Sequence, residues 1–171
     1  MARWVFGGAA TDPGIDLLND QTLTEAERAR SFALLVSSYF THKSLTSRDI
    51  ADLQRKPDPN ARKATIDRFT PEEECEVTCY SALFRNELAA RTASHVVYAT
   101  RMDKALFESA SYWPKCRVDL ILCENTSFLC VEAAWEFDKI REKVEKEGRQ
   151  GRVMRSFMIP GVNHFVSSNC R

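Results

Sequence analysis

The sequence predicts an α/β fold built on a small parallel sheet of about three strands. The first observation behind this is a pair of apolar runs of strand length, Arg117 to Cys123 and Met154 to Ile159, separated by residues with helical spacing. A strand, a helix and a strand in that order make a βαβ unit, which brings the strands together in parallel through a right-handed crossover. The second observation is a further apolar run, Arg3 to Gly8, closed by Gly7-Gly8. It reads as a strand able to join the same sheet, with the mostly helical stretch between as a large excursion.

Taken in order, the elements have local reasons. Asp12-Pro13-Gly14 is a turn. Thr22 with Glu25 and Thr24 with Glu27 are overlapping capping boxes that start a helix running to about Tyr39. Phe32, Leu35, Val36 and Tyr39 form its apolar stripe. Ser47 is expected to cap a second short helix with Ile50 and Leu53 turned inward. Lys56-Pro57-Asp58-Pro59-Asn60 breaks the chain into a loop over 55–69. Thr70-Pro71-Glu72-Glu73 is the strongest local signal, with Thr at the cap, Pro at the first helical position and Glu at the third. From there the pattern stays helical in two or three pieces to about Glu108. Glu124-Asn125-Thr126-Ser127 is a polar turn after the second strand. A helix then runs from Phe128 to about Glu147, with Ala133, Phe137, Ile140 and Val144 on one face. Gly148 and Gly151 stop it before the last strand.

The totals exclude several function classes. A chain of 171 residues with 44% hydrophobic and 28% charged residues supports a packed core rather than disorder. Lys plus Arg equals Asp plus Glu at 24 each, so no global charge draws the chain to nucleic acid or to an anionic membrane. No apolar run is long enough for a membrane span, and the start lacks a signal-peptide core, which makes a cytoplasmic location the expectation. Six cysteines are read as reduced and mostly core-filling, and the Asn125-Thr126-Ser127 sequon as unused. Cys75 and Cys79 have neither a C-x-x-C partner nor an H-x-x-x-H pair beside them, so no metal is expected. No organic cofactor is implied either.

In an open parallel sheet, ligands and catalytic groups gather beyond the C-terminal ends of the strands. Here those ends are Gly7 to Ala10, Glu124 to Thr126, and Gly161 to His164. Two of them carry an acid and a histidine, the parts of a relay in which a carboxylate orients an imidazole base. His164 taken alone is a turn histidine bonded to backbone, and Glu124 taken alone is a solvated carboxylate near a helix cap. The strand, acid turn, helix, strand context favours the relay position for His164. His95 reads as core or lid lining, His42 as a helix-end residue complementing the dipole, and Trp113 and Trp135 as core.

IPGVNHF at 159–165 and VDLILCENTSF at 118–128 resemble the last two strands and turns of the α/β-hydrolase fold, and RWVFGGAATDPG at 3–14 resembles the strand before its lid. The overall look is of the fungal members with large helical lids. The resemblance implies a partial hydrolase core at 1–14 and 113–171 and a helical lid (cap) at 15–112. It implies His164 as general base and Glu124 as the acid, with Asp12 as the backup acid. It also implies serine-type hydrolysis of a small apolar ester or related substrate. No G-x-S-x-G nucleophile motif occurs in the chain, so the chain is expected to be a fragment, inactive by itself and prone to self-association through an exposed sheet edge. The competing expectation is a non-catalytic helical binding protein.

Overall fold

A computed structural model describes residues 17, 20–88, 94–108, 115–149 and 151–165. The strand expected at Arg3 to Gly8, the backup acid Asp12 and Trp113 lie outside the described residues. Helix α1 spans Glu25–Ser37, α2 Pro71–Val77, α3 His95–Phe107 and α4 Phe128–Lys146; strand β1 spans Val118–Cys123 and β2 Met154–Ile159. The two strands form one parallel sheet. Val118 N–H bonds the Val153 carbonyl and Asn125 N–H bonds the Val162 carbonyl, so the partners advance in the same direction along both segments. Among the described residues the fold is therefore α/β, with a sheet of two strands.

The chain divides into two compact units. The described part of the first comprises 94–108, 115–122, 129–149 and 151–159. Its core is Leu106 and Phe107 from α3 with Ala133, Phe137 and Val144 from α4, and Val118, Leu120, Met154 and Ile140 pack against it. The face expected for α4 is thus the buried one. Truncating Phe137 to Ala there costs about 3–5 kcal/mol by the usual large-to-small rule. Along β1 the exposure alternates as a strand with one covered face should. Val118 and Leu120 meet the helices, while Asp119 and Ile121 point away. Asp119 holds Arg117 at 3.1 Å and Arg155 of β2 at 3.2 Å on that open face, where Ile121 and Phe157 are 58% and 46% exposed. Gly151 is a close approach: a Cβ there would sit 3.0 Å from the Phe107 ring and 3.2 Å from the Leu106 carbonyl.

The second unit's described part comprises 17, 20–88, 123–128 and 160–165. α1 begins at Thr24, whose hydroxyl accepts Glu27 N–H while the Glu27 carboxylate accepts Thr24 N–H, a complete capping box. The alternative box at Thr22 does not form, because Thr22 donates to Asp20 instead. α2 starts as expected, with the Thr70–Glu73 box and Pro71 at the first position. Arg30 of α1 ties the helices together, reaching both Glu74 oxygens at 2.8 Å and Asp67 at 2.7 Å. Three local expectations are corrected. The short helix is a 3-10 turn over Ile50–Asp52 capped by Asp49 rather than Ser47, because the nearer carboxylate takes Ala51 N–H at 2.9 Å. Leu53 is buried there, but Ile50 is 45% exposed. The expected 55–69 loop holds a 3-10 turn, Thr65–Arg68, that buries Ile66.

The helical stretch after α2 passes through a turn at Tyr80–Ala82 and a π-helical piece, Leu83–Leu88. The cut between the two units differs from a core-and-lid division at 1–14 with 113–171 and 15–112. α3 packs with α4 in the first unit, and the two turns after β1 and β2 group with residues 20–88. Among the described cysteines, Cys75, Cys79 and Cys116 are exposed, Cys123 is buried and Cys130 is half-buried, so the expectation of mostly core-filling thiols fails at the first three. No helix among the described residues is long and apolar enough to cross a membrane.

Candidate functional site

The turns that follow β1 and β2 lie side by side in the second unit. Chain direction alone makes this their place, since both leave the same end of a parallel pair. Two hydrogen bonds fasten them. Asn125 N–H donates to the Val162 carbonyl at 2.9 Å, and Gly161 N–H donates to Glu124 Oε2 at 2.7 Å. Gly161 is the turn residue that needs its freedom: its φ is +70°, in the left-handed region, and that conformation aims its N–H at the carboxylate. A carboxylate accepting a backbone N–H is a charge-assisted bond, stronger than a neutral one. Glu124 is exposed, as the polar turn predicts, and its hydrogen bond goes to the backbone of the histidine-bearing turn.

His164 stands exposed at the tip of that turn, its ring edge-on to Phe165 with centroids 5.9 Å apart. The residue before it does the fastening. Asn163 is fully buried, and its Nδ2 donates to the Ser37 carbonyl and, at 2.8 Å, to Thr65 Oγ1. Its Oδ1 accepts Phe165 N–H at 3.0 Å, an Asx turn that bridges across His164. The backbone on both sides of the imidazole is thereby held by one amide. Sequence reasoning passed over Asn163; the signal available was an Asn two residues after Pro-Gly, a residue type that bonds its own backbone two residues on.

The turn after β1 is braced in the same way from the segment beyond α1. Asn125 exchanges two bonds with Phe40: the Phe40 N–H donates to the Asn125 carbonyl at 3.1 Å, and Asn125 Nδ2 donates to the Phe40 carbonyl at 2.9 Å. The sequon asparagine thus spends its amide inside the unit. His42, expected at a helix end, is found five residues past the last residue of α1. Its Nδ1 accepts Gln54 N–H at 3.1 Å and its Nε2 meets the Thr126 carbonyl at 2.9 Å. A carbonyl only accepts, so the ring carries its proton on Nε2 and is neutral. Burial pushes its pKa below the usual histidine value, against the Thr126 carbonyl, which favours the charged ring. The ring also stacks on Phe40, with planes 7° apart. Both of its nitrogens are occupied, which makes it a strut for the acid turn and leaves it no free site for proton transfer. Thr126, 1% exposed, has no hydrogen-bond partner for its hydroxyl.

Chemically, the unit offers an exposed carboxylate and an exposed imidazole on two fastened turns, with no nucleophile motif anywhere in the 171 residues. Among the described residues no group of His, Cys, Asp and Glu is arranged to hold a metal. Tyr80, Glu74 and Arg30 form a separate charged knot in which the Tyr80 hydroxyl and Arg30 hold the Glu74 carboxyl below its ordinary range. It pins α1 to α2 and reads as structural. The chain matches no protein-family model, no curated protein and no solved structure.

Proposed function

We propose that this chain carries the acid and histidine end of a hydrolase of the α/β-hydrolase type, acting on small apolar esters or related substrates, with its nucleophile supplied by polypeptide outside these residues. His164 is the general base, and Glu124 the acid that orients it and stabilises the imidazolium it becomes. The observation that carries the reading is the pair of fastened turns: an acid and a histidine follow adjacent parallel strands, and Glu124 Oε2 bonds Gly161 N–H on the turn that presents His164. Relay chemistry needs in addition a Glu124 oxygen on the imidazole N–H, because the base works only if its ring is positioned and its developing charge is compensated. Oε1 of Glu124 is the atom left to take the imidazole N–H. No cofactor is required.

The open face of the sheet supports the same reading. Parallel sheets are stable with both faces covered, and here α3 and α4 cover one. Asp119, Ile121, Arg155 and Phe157 on the other face are what the rest of a larger core, or a second copy in its absence, would bury. The helical-binding alternative explains the helices and leaves the two turns without a role.

The test extends the reading frame upstream in the genomic DNA and expresses the longer chain. The proposal expects strands and a G-x-S-x-G turn in frame, and turnover of p-nitrophenyl butyrate. His164→Ala should abolish that turnover, and Glu124→Gln should reduce it by something on the order of 10⁴, as loss of the acid does in such relays. The chain as given should show no turnover above background. An upstream frame without such a motif, or full activity in His164→Ala, would overturn it.

A further inference from the structure

In the second unit, Gln54 closes a loop around His42. Its Oε1 accepts Thr41 N–H, and its own N–H donates to His42 Nδ1 at 3.1 Å. Beside them Lys43 N–H donates to the Asp52 carbonyl at 2.9 Å. These three bonds draw residues 41–43 and 52–54 together at the mouth of the loop 44–51. The loop is exposed over 46–51, so little packing holds it shut. It also contains Arg48 at φ +59°, the non-glycine residue in the left-handed region among the described residues. That conformation costs free energy for any residue with a Cβ, so the closed loop depends on its clasp.

One of the three bonds depends on a proton. Nδ1 of His42 accepts Gln54 N–H only while it is bare, and an imidazolium carries a proton on each nitrogen. Its Nε2–H continues to serve the Thr126 carbonyl at 2.9 Å, more strongly as a charged donor. Its Nδ1–H would face Gln54 N–H, donor against donor. Protonation is therefore asymmetric: it keeps the ring on the acid turn and unfastens it from the loop. The segment 40–55 and the acid turn surround the ring. Their charged groups are Lys43 and Asp52, paired at 3.1 Å, Asp49 on Ala51 N–H, Glu124 on Gly161 N–H, Arg55 over the Phe128 ring, and Arg48. Burial of the ring is the larger influence on its proton affinity and the Thr126 carbonyl the smaller, so the ring takes its proton below the usual histidine range.

We propose that His42 is a proton-operated clasp: acidification puts a proton on Nδ1, expels Gln54 N–H and opens the loop 44–51 at its mouth, while the ring stays bonded to the acid turn. The opening is local and precedes unfolding of the unit. It stands on the bonds of His42 and Gln54 and does not depend on the hydrolase reading.

The experiment follows the ¹⁵N-labelled chain by NMR from about pH 7.5 to about pH 4.5, a span that brackets the histidine range. Ring nitrogen shifts report the tautomer and titration of His42. Amide protection, referenced to unfolded-chain rates at each pH, is read at Gln54, Lys43 and Phe40. At the upper pH the ring should be neutral with its proton on Nε2. Protection of Gln54 should fall at least tenfold across the His42 titration and with the same midpoint, and Lys43 should follow it. Phe40 N–H, bonded to the Asn125 carbonyl at 3.1 Å, should keep its protection. His42→Gln offers an acceptor that does not titrate, so its Gln54 protection should not change with pH. The proposal is overturned by a ring that stays neutral down to the lowest pH or carries its proton on Nδ1 at the highest. Flat protection at Gln54 or Lys43 while His42 titrates overturns it too. So does equal loss at Phe40, which would mean that the whole unit unfolds, or the same fall at Gln54 in His42→Gln.

Discussion

Replacing Asn163 by Ala tests how firmly the histidine turn is held. The side chain is fully buried, and it supplies donors to the Ser37 carbonyl and Thr65 Oγ1 and an acceptor to Phe165 N–H. Alanine leaves those groups without these partners. A buried group stripped of its partner costs about 1–3 kcal/mol, and the half-buried Phe165 N–H recovers part of its share from water. The expected loss is about 3–4 kcal/mol, a large fraction of the 5–15 kcal/mol typical of a folded domain. Urea unfolding followed by far-ultraviolet circular dichroism reads it as a fall in midpoint at unchanged slope. Asn163→Asp sharpens the test, since it keeps the volume and the acceptor to Phe165 but turns the donor facing Ser37 into a carboxylate. The buried acid favours its protonated form, so the aspartate variant should be weakest at neutral pH and recover as pH falls toward about 4, where the unfolded carboxyl also protonates. An Asn163→Ala chain within 0.5 kcal/mol of the parent would refute the reasoning, that threshold being roughly the scatter of ordinary surface substitutions.

His42 sets a pH dependence. Its folded pKa lies below the unfolded value because burial disfavours the charged ring, so the unfolded chain takes up the proton first as pH falls. Its contribution is intact above about pH 6.5 and drains away as pH drops from there through the folded pKa; denaturation midpoints at successive pH values should fall, and should fall less in His42→Gln. Thr70→Ala removes the hydroxyl of a complete capping box and should cost about 1 kcal/mol by urea unfolding, with Thr70→Ser restoring most of it. Two glycines should respond for different reasons. Gly151→Ala drives a Cβ against Phe107 and the Leu106 carbonyl and should cost about 1–3 kcal/mol, whereas Gly161→Ala meets nothing within 4 Å and should lose only the left-handed penalty of about 1–2 kcal/mol.

Much of the local structure was legible because its causes are local. The Thr24 and Thr70 caps, the apolar face of α4 and the two strands of the βαβ unit follow from spacing within ten or so residues, and the structure places them where that spacing puts them. Competition between neighbouring caps was not legible, which is why Asp49 displaces Ser47 and Asp20 captures Thr22. Partners distant in sequence were invisible for a different reason. Nothing in Asn163 itself announces Ser37 or Thr65, and nothing in His42 announces the carbonyl of Thr126. A short polar side chain declares that it will bond, not to what. The same limit applies at Glu124, whose place in a turn could be read from the sequence but whose bond to Gly161 could not.

The central claim is that the acid turn and the histidine turn are fastened to each other. Amide hydrogen exchange at Gly161, measured by NMR, tests it most directly. With Glu124 Oε2 accepting its proton at 2.7 Å, Gly161 N–H should exchange well below the unfolded-chain rate, and Glu124→Ala should release it while Asn125 N–H, bonded to the Val162 carbonyl, stays protected. Exchange of Gly161 at the unfolded-chain rate in the parent protein, or protection unchanged in Glu124→Ala, would contradict the account.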